Sequence, residues 1–223
     1  MYQFASLTLE FMLPQITAWL ANVSSMYPNT VKYGSLGKTH ENRDIPLITI
    51  AHPQRKQKTA TFIDCRKYPE FLHVDILTCP CTEFPVIHAR EWITGAACTY
   101  IINELTAHAD IYNELLREVK FYIVPILNPD GYSYTHKTER FWRKNRRPNE
   151  GDANCPGVDL NRNFDIHFGE IGGSDNLCNN EYRGPSVCSE LECKALSTFL
   201  GKHKTEIDVY FNMHCYGQVS NRK

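Results

Sequence analysis

At 223 residues, with 42% hydrophobic and 22% charged side chains, the chain is long enough for one sizeable α/β domain and shows no compositional split. A formal net charge of −1 and a pI near 6.7 offer no global attraction to nucleic acid or an anionic membrane, so partners must be recognised locally. The opening stretch, interrupted by Glu10, Pro14 and Gln15 and lacking a basic start, has the pattern of neither a signal peptide nor a membrane span. Nine cysteines and an Asn22-Val23-Ser24 glycosylation sequon nonetheless lean toward an oxidising compartment.

Pro14 opens a predicted helix in which Ile16, Trp19, Leu20, Val23 and Met26 recur at helical spacing, ending near Tyr27-Pro28. Thr30 to Gly37 and Ile45 to Ala51 are expected to pair as strands across a turn-rich connection, with His40 and His52 on the surface. Thr59 to Cys65 is strand-like. Arg66 to Pro85, with three prolines and Cys79-Pro80-Cys81, is an atypical insertion, because a long structureless stretch inside a compact domain counts against its being part of the fold. Cys79 and Cys81 lack a second pair at zinc-finger spacing.

Thr94 to Ala107 is predicted as a helix with Ile93, Ala97, Tyr100, Ile101 and Leu105 on one face, followed by a shorter helix around Asp110 to Glu118. His108, between them, is expected on the surface. Val119 to Leu127 is a strand too apolar to be half exposed, and Asn128-Pro129-Asp130-Gly131 ends it sharply. Arg140 to Arg147 packs five basic residues around Phe141 and Trp142, but one short run in a near-neutral chain is no nucleic-acid footprint. Ser189 to Lys202 is an amphipathic helix with Leu191, Leu196, Phe199 and Leu200 facing inward. In the stretch after it, Ile207, Val209, Phe211 and Met213 alternate with more polar neighbours as in a strand.

The candidate chemistry starts at Val86-Ile87-His88-Ala89-Arg90-Glu91-Trp92, where an apolar run ends in a histidine and a glutamate follows three residues later. With 9 His and 15 Glu, chance alone supplies roughly 0.6 matches to that spacing, so spacing decides little. His136/Glu139, His167/Glu170 and His203/Glu206 share it and are expected on solvated loops or helix ends. Only His88/Glu91 follows a strand-like run. His214 closes the 207–213 strand at its carboxyl end, where ligands converge in open α/β sheets. Two imidazoles and one carboxylate are the ligand set of a catalytic zinc, which keeps a fourth position open, although the same trio could serve binding alone.

Together with Asn128-Pro129-Asp130-Gly131-Tyr132, Phe141-Trp142-Arg143-Lys144 and Gly157-Val158-Asp159-Leu160-Asn161-Arg162-Asn163-Phe164, these segments resemble a zinc metallocarboxypeptidase of the carboxypeptidase A and B type, from about the first helix to Gln218. The resemblance implies an α/β fold with a mixed central sheet flanked by helices. It also implies Zn2+ on His88, Glu91 and His214, with peptide or protein C-termini as substrates. Arg143 would stabilise the oxyanion, Asn161 and Arg162 would clamp the C-terminal carboxylate, and Arg90 and Tyr216 would contact the peptide. A Cys155–Cys178 disulfide matches one in the carboxypeptidase A branch, and secretion, with a signal and pro-segment upstream, is implied as well. A monomer is expected.

The pattern departs from the family at the 66–85 insertion and after Tyr216, beyond which the chain has no Glu or Tyr. The family's general-base glutamate and its assisting tyrosine lie downstream of the second histidine, as do the residues that choose the C-terminal side chain. The expectation is therefore a single domain over residues 1–223, lacking its C-terminal part and of doubtful activity. Two alternatives stand beside a peptidase: a non-catalytic zinc protein that binds peptide C-termini, and a zinc deacylase acting on small N-acyl amino acids.

Overall fold

The computed structural model describes residues 12–53, 57, 59–64, 87–170 and 172–214. Helix α1 (Leu13–Met26) starts on Pro14, and Gln15 Oε1 accepts from the Met12 N–H at 2.6 Å, satisfying a donor that the first turn leaves open. Strands β1 (Val31–Lys38) and β2 (Asp44–Ile50) form the expected antiparallel pair, followed by β3 (Thr59–Asp64). Then come α2 (Trp92–Ala107), α3 (Asn113–Glu118), β4 (Val119–Val124), α4 (Pro129–Lys137), a 3-10 turn at Leu160–Arg162, α5 (Leu191–His203) and β5 (Ile207–Asn212).

The five strands lie in the order β1-β2-β4-β3-β5; β2 runs antiparallel to both β1 and β4, and β3 pairs in parallel with β4 and β5. Alternation in the strands then sorts the core onto two faces. Ile48, Ile50, Ile63, Phe121 and Ile123 pack against Ile16, Leu20 and Val23 of α1 and Cys98, Ile102 and Leu105 of α2. Ala60, Phe62, Tyr122 and Val124 pack against Leu196 and Phe199 of α5 and against Leu160. This is the mixed sheet between helices that the family resemblance implies. Among the described residues no helix is long and apolar enough to cross a membrane.

Several local expectations are corrected. Met26, at the end of α1, is exposed, and the fully buried stripe of α2 runs through Thr94, Cys98, Ile102 and Leu105, with the expected Ala97 and Ile101 only partly buried against the same core. Apolar residues surround α2, so periodicity alone cannot choose its inner face. The strand expected over Val119 to Leu127 ends at Val124, and Asn128-Pro129 starts a helix instead: the Asn128 side chain accepts from Gly131 N at 2.9 Å and Pro129 fills the first turn of α4. Gly131 has to be glycine there, because an added Cβ would come within 2.7 Å of Ala89 Cβ and of the Lys144 carbonyl oxygen.

Three histidines expected on the surface are also engaged in contacts. His136 stacks on Trp92 with ring centroids 3.9 Å apart, and His203 bonds Glu206 in a cluster with Lys120 and Tyr122. His40, with 22% of its side chain exposed, meets Glu190 at 3.3 Å. The His203–Glu206 pair is local, but the contacts of that pair with Lys120 and Tyr122, and that of His40 with Glu190, join segments far apart in sequence. His167 and Glu170 are exposed, as expected.

Cys155 and Cys178 form the disulfide implied by the resemblance, Cys188 and Cys193 form another, and Cys98 is disulfide-bonded too. The Cys155–Cys178 link steadies the segment from which the Leu177 carbonyl accepts Lys144 Nζ at 2.6 Å, one residue from Arg143. With 23 residues of sequence separation, removing it as Cys155→Ala/Cys178→Ala is expected to destabilise the fold by about 3 kcal/mol. Urea denaturation of parent and variant checks this, and an unchanged midpoint would contradict it.

Candidate metal centre

The carboxyl ends of the parallel strands β3, β4 and β5 point to one edge of the sheet, and the candidate site lies in the loops there. His214 follows β5 by two residues. Ile87 to Arg90 turns into α2, with Glu91 immediately before its first residue. Asn128 latches this turn in place: its buried Nδ2 donates to the Ile87 carbonyl at 3.3 Å and to the Lys144 carbonyl at 3.1 Å. Ala89 N donates to the Arg143 carbonyl at 3.1 Å, so the segment carrying Arg143 is tied to the turn carrying His88.

The structure brings the three predicted ligands together. His88 Nδ1 lies 3.0 Å from both Glu91 carboxylate oxygens, His214 Nδ1 lies 3.9 Å from Glu91 Oε2, and one donor atom from each falls within 4.8 Å of the others. Zinc bonds of about 2.1 Å in a tetrahedron place ligand atoms about 3.4 Å apart, so these separations bracket what the ion needs. His88 and Glu91 are buried, whereas 26% of the His214 side chain is exposed, which leaves one side open to a substrate.

The donor set also suits a cation electrostatically. Burial pushes the Glu91 carboxyl up to about 7 against the pull of His88, Arg143 and Arg90. Burial opposes a charge on His88, but the Asp159 and Glu91 carboxylates raise its pKa above the usual imidazole value. Without a metal the pair thus holds a proton between Nδ1 and the carboxylate at neutral pH, a place that a divalent cation would take.

The organising residue is one that sequence reasoning did not assign. Asp159 is fully buried and its Oδ1 receives His88 Nε2 at 3.0 Å and the Asn161 backbone N–H at 3.0 Å. Its Oδ2 receives Arg143 Nε at 3.0 Å and Nη2 at 2.8 Å. Burial alone would raise its carboxyl, but His88 and Arg143 hold it far below the ordinary carboxylate range. With the His88 Nε2 proton directed at Asp159, Nδ1 is the nitrogen that presents a lone pair to a metal. The signal that could have found it is an acid inside a segment already singled out, two residues before Asn161.

Of the other predicted residues, Arg143 is nearly buried and held beside the trio through Asp159. Asn161 and Arg162 occupy the 3-10 turn that Asp159 caps. The Arg162 guanidinium donates from Nε to the Gly172 carbonyl at 2.5 Å and lies 3.8 Å from Glu181, so it faces a neighbouring loop rather than the trio. Arg90 is partly exposed, with Nη1 3.5 Å from the Phe141 carbonyl. Tyr216 and the 66–85 segment lie outside the described residues.

Known proteins resemble this chain over nearly its whole length. It is 33% identical over 205 residues to carboxypeptidase B of Astacus astacus and 36% identical over 208 residues to a zinc carboxypeptidase of Simulium vittatum, covering 92% and 93% of this chain. Bovine thrombin-activatable fibrinolysis inhibitor, solved with tick carboxypeptidase inhibitor, superposes with a TM-score of 0.77 at 34% identity over 93% of this chain. The chain spans 61% of the length of each of these three. The family model described as zinc carboxypeptidase matches residues 16–68 and 86–223, a break that falls inside the 66–85 segment. The chain belongs to the zinc carboxypeptidase family.

Proposed function

We propose that this protein is a zinc-dependent metallocarboxypeptidase that releases C-terminal amino acids from peptides outside the cell. The observation that carries the reading is the convergence of His88, Glu91 and His214 on one donor cluster beside Arg143, with Asp159 joining His88 to Arg143. When bound, zinc would supply Lewis-acid polarisation of the scissile carbonyl. His88, Glu91 and His214 would hold it, and Asp159 keeps His88 in the tautomer that can ligate.

Arg143 has its Nε and Nη2 on Asp159, which fixes the guanidinium plane and leaves the Nη1 corner to meet negative charge developing on the carbonyl oxygen. A peptide C-terminus needs a cation that bonds both carboxylate oxygens in one plane, and Arg162 with Asn161 fits that requirement. Arg162 would have to exchange the Gly172 carbonyl for the substrate, and its only partial burial leaves that swing inexpensive. Arg90 and Tyr216 would contact the peptide beyond the scissile bond. Disulfides at 155–178 and 188–193 support an oxidising, extracellular setting.

One observation favours a second reading, zinc-dependent capture of peptide C-termini without turnover. Among the described residues, the carboxylates that touch the trio are Glu91, one of the ligands, and Asp159, engaged with His88 and Arg143. Neither is placed to take a proton from water, and general acid/base catalysis contributes about 10² to 10⁴-fold. The assay is release of the last residue from blocked dipeptides ending in Phe, Leu, Lys or Arg, run beside calorimetric binding of the same peptides. Release that a chelator abolishes supports the peptidase; zinc-dependent binding without release supports capture; neither signal from folded, zinc-loaded protein would refute both.

A further inference from the structure

A second cluster of metal-ligating side chains lies away from the trio. His40 sits in the turn between β1 and β2, and Glu190 and Glu192 sit at the start of α5; one donor atom from each falls within 4.8 Å of the others. Both glutamates are fully buried. The oxygens of Glu190 divide their partners: Oε1 takes Arg147 Nη1 at 3.1 Å and Ser189 Oγ at 2.7 Å, whereas Oε2 faces His40 Nε2 at 3.3 Å. Asn145 Nδ2 bridges the two carboxylates, at 2.8 Å from Glu190 Oε2 and 3.2 Å from Glu192 Oε2. Glu192 Oε1 is buried with no hydrogen-bond partner among the described residues.

We propose that His40, Glu190 and Glu192 form a second divalent-cation site, of the zinc class, that clips the β1–β2 turn to the start of α5. Charge is the first argument. Glu190 and Glu192 are two carboxylates held out of water beside one guanidinium, Arg147, and the His40 imidazole, an arrangement that is costly unless cations accompany them.

Geometry is the second argument. The 3.3 Å between His40 Nε2 and Glu190 Oε2 is close to the roughly 3.4 Å edge of a tetrahedron with 2.1 Å bonds, and the cluster meets the same 4.8 Å limit as the catalytic trio. The Cys188–Cys193 disulfide brackets both glutamates and holds their backbone in register. An imidazole beside two carboxylates selects zinc and its first-row neighbours over calcium or magnesium, and the partly exposed His40 leaves room for water as a fourth ligand.

The competing occupant is a proton shared by His40 and the carboxylates. Metal counting separates the two, and does so whether or not the trio is a peptidase centre. The full chain is stripped with chelator, titrated with Zn2+ against a weak competing chelator, and its bound metal measured by elemental analysis, with circular dichroism confirming the fold of each variant. The expected stoichiometry is two for the parent, one for His40→Gln, one for Glu192→Gln, one for His214→Ala and none for His40→Gln/His214→Ala. A parent count that His40→Gln and Glu192→Gln both leave unchanged would overturn the site, whatever the trio contributes to that count.

Discussion

Replacing Asp159 with alanine is expected to destabilise the protein by about 3 to 5 kcal/mol, the cost of removing one partner from a buried, hydrogen-bonded charge network. The loss falls on three groups at once. Arg143 forfeits both contacts of its fork, His88 the acceptor of its Nε2 proton, and the 3-10 turn its cap on Asn161 N. Asp159→Asn keeps the shape but replaces a charged acceptor by an amide, so the fold should suffer less while zinc affinity still falls about 10- to 100-fold, as for other outer-shell partners of a ligating histidine. Denaturant titration and chelator competition measure the two effects separately. The pH dependence has a definite sign: the folded carboxyl is depressed below its unfolded value near 3.9, so its stabilisation is present above that pH and disappears on stronger acidification. An Asp159→Ala protein as stable as the parent at neutral pH, or an Asp159→Asn protein with parental zinc affinity, would remove Asp159 from the centre of the site.

The sequence is most legible where function and local pattern coincide. His88, Glu91 and His214 each adjoin a strand-like or helix-like run, and a sheet edge gathers such ends without further information. Asp159 shows no such sign, because its importance comes from His88 and Arg143, neither of which is its sequence neighbour. The same holds for His40: a polar residue in a turn reads as solvated until α5 brings two glutamates to it. Strand existence was legible from alternation, but placing β3 between β4 and β5 was not, since parallel pairing depends on crossovers rather than on periodicity. α4 was legible in principle from Asn128-Pro129, a cap followed by a first-turn proline; a tight turn after a strand carries the same letters.

Removing a ligand outright should affect zinc more than removing Asp159, so Glu91→Ala and His214→Ala are each expected to lower zinc affinity by more than the roughly 10- to 100-fold of an outer-shell change. The two variants should also differ from each other. In the metal-free parent, burial raises the Glu91 carboxyl to about 7 and the neighbouring carboxylates raise the His88 imidazole, so zinc must displace the proton that the pair shares. Apparent affinity therefore falls as pH drops through 7, by about tenfold per pH unit for each proton displaced. His214→Ala keeps the His88–Glu91 pair, and with it a steep dependence. Glu91→Ala removes one titrating group and takes a carboxylate away from His88, which lowers the histidine's hold on its own proton, so its slope should be clearly shallower. Chelator competition between pH 6 and 8 reads both quantities, taking that range as roughly one unit either side of the Glu91 titration. If either variant bound zinc as tightly as the parent, the ligand assignment would fail; if the two slopes were equal, the proton held between His88 and Glu91 would not be what the metal replaces.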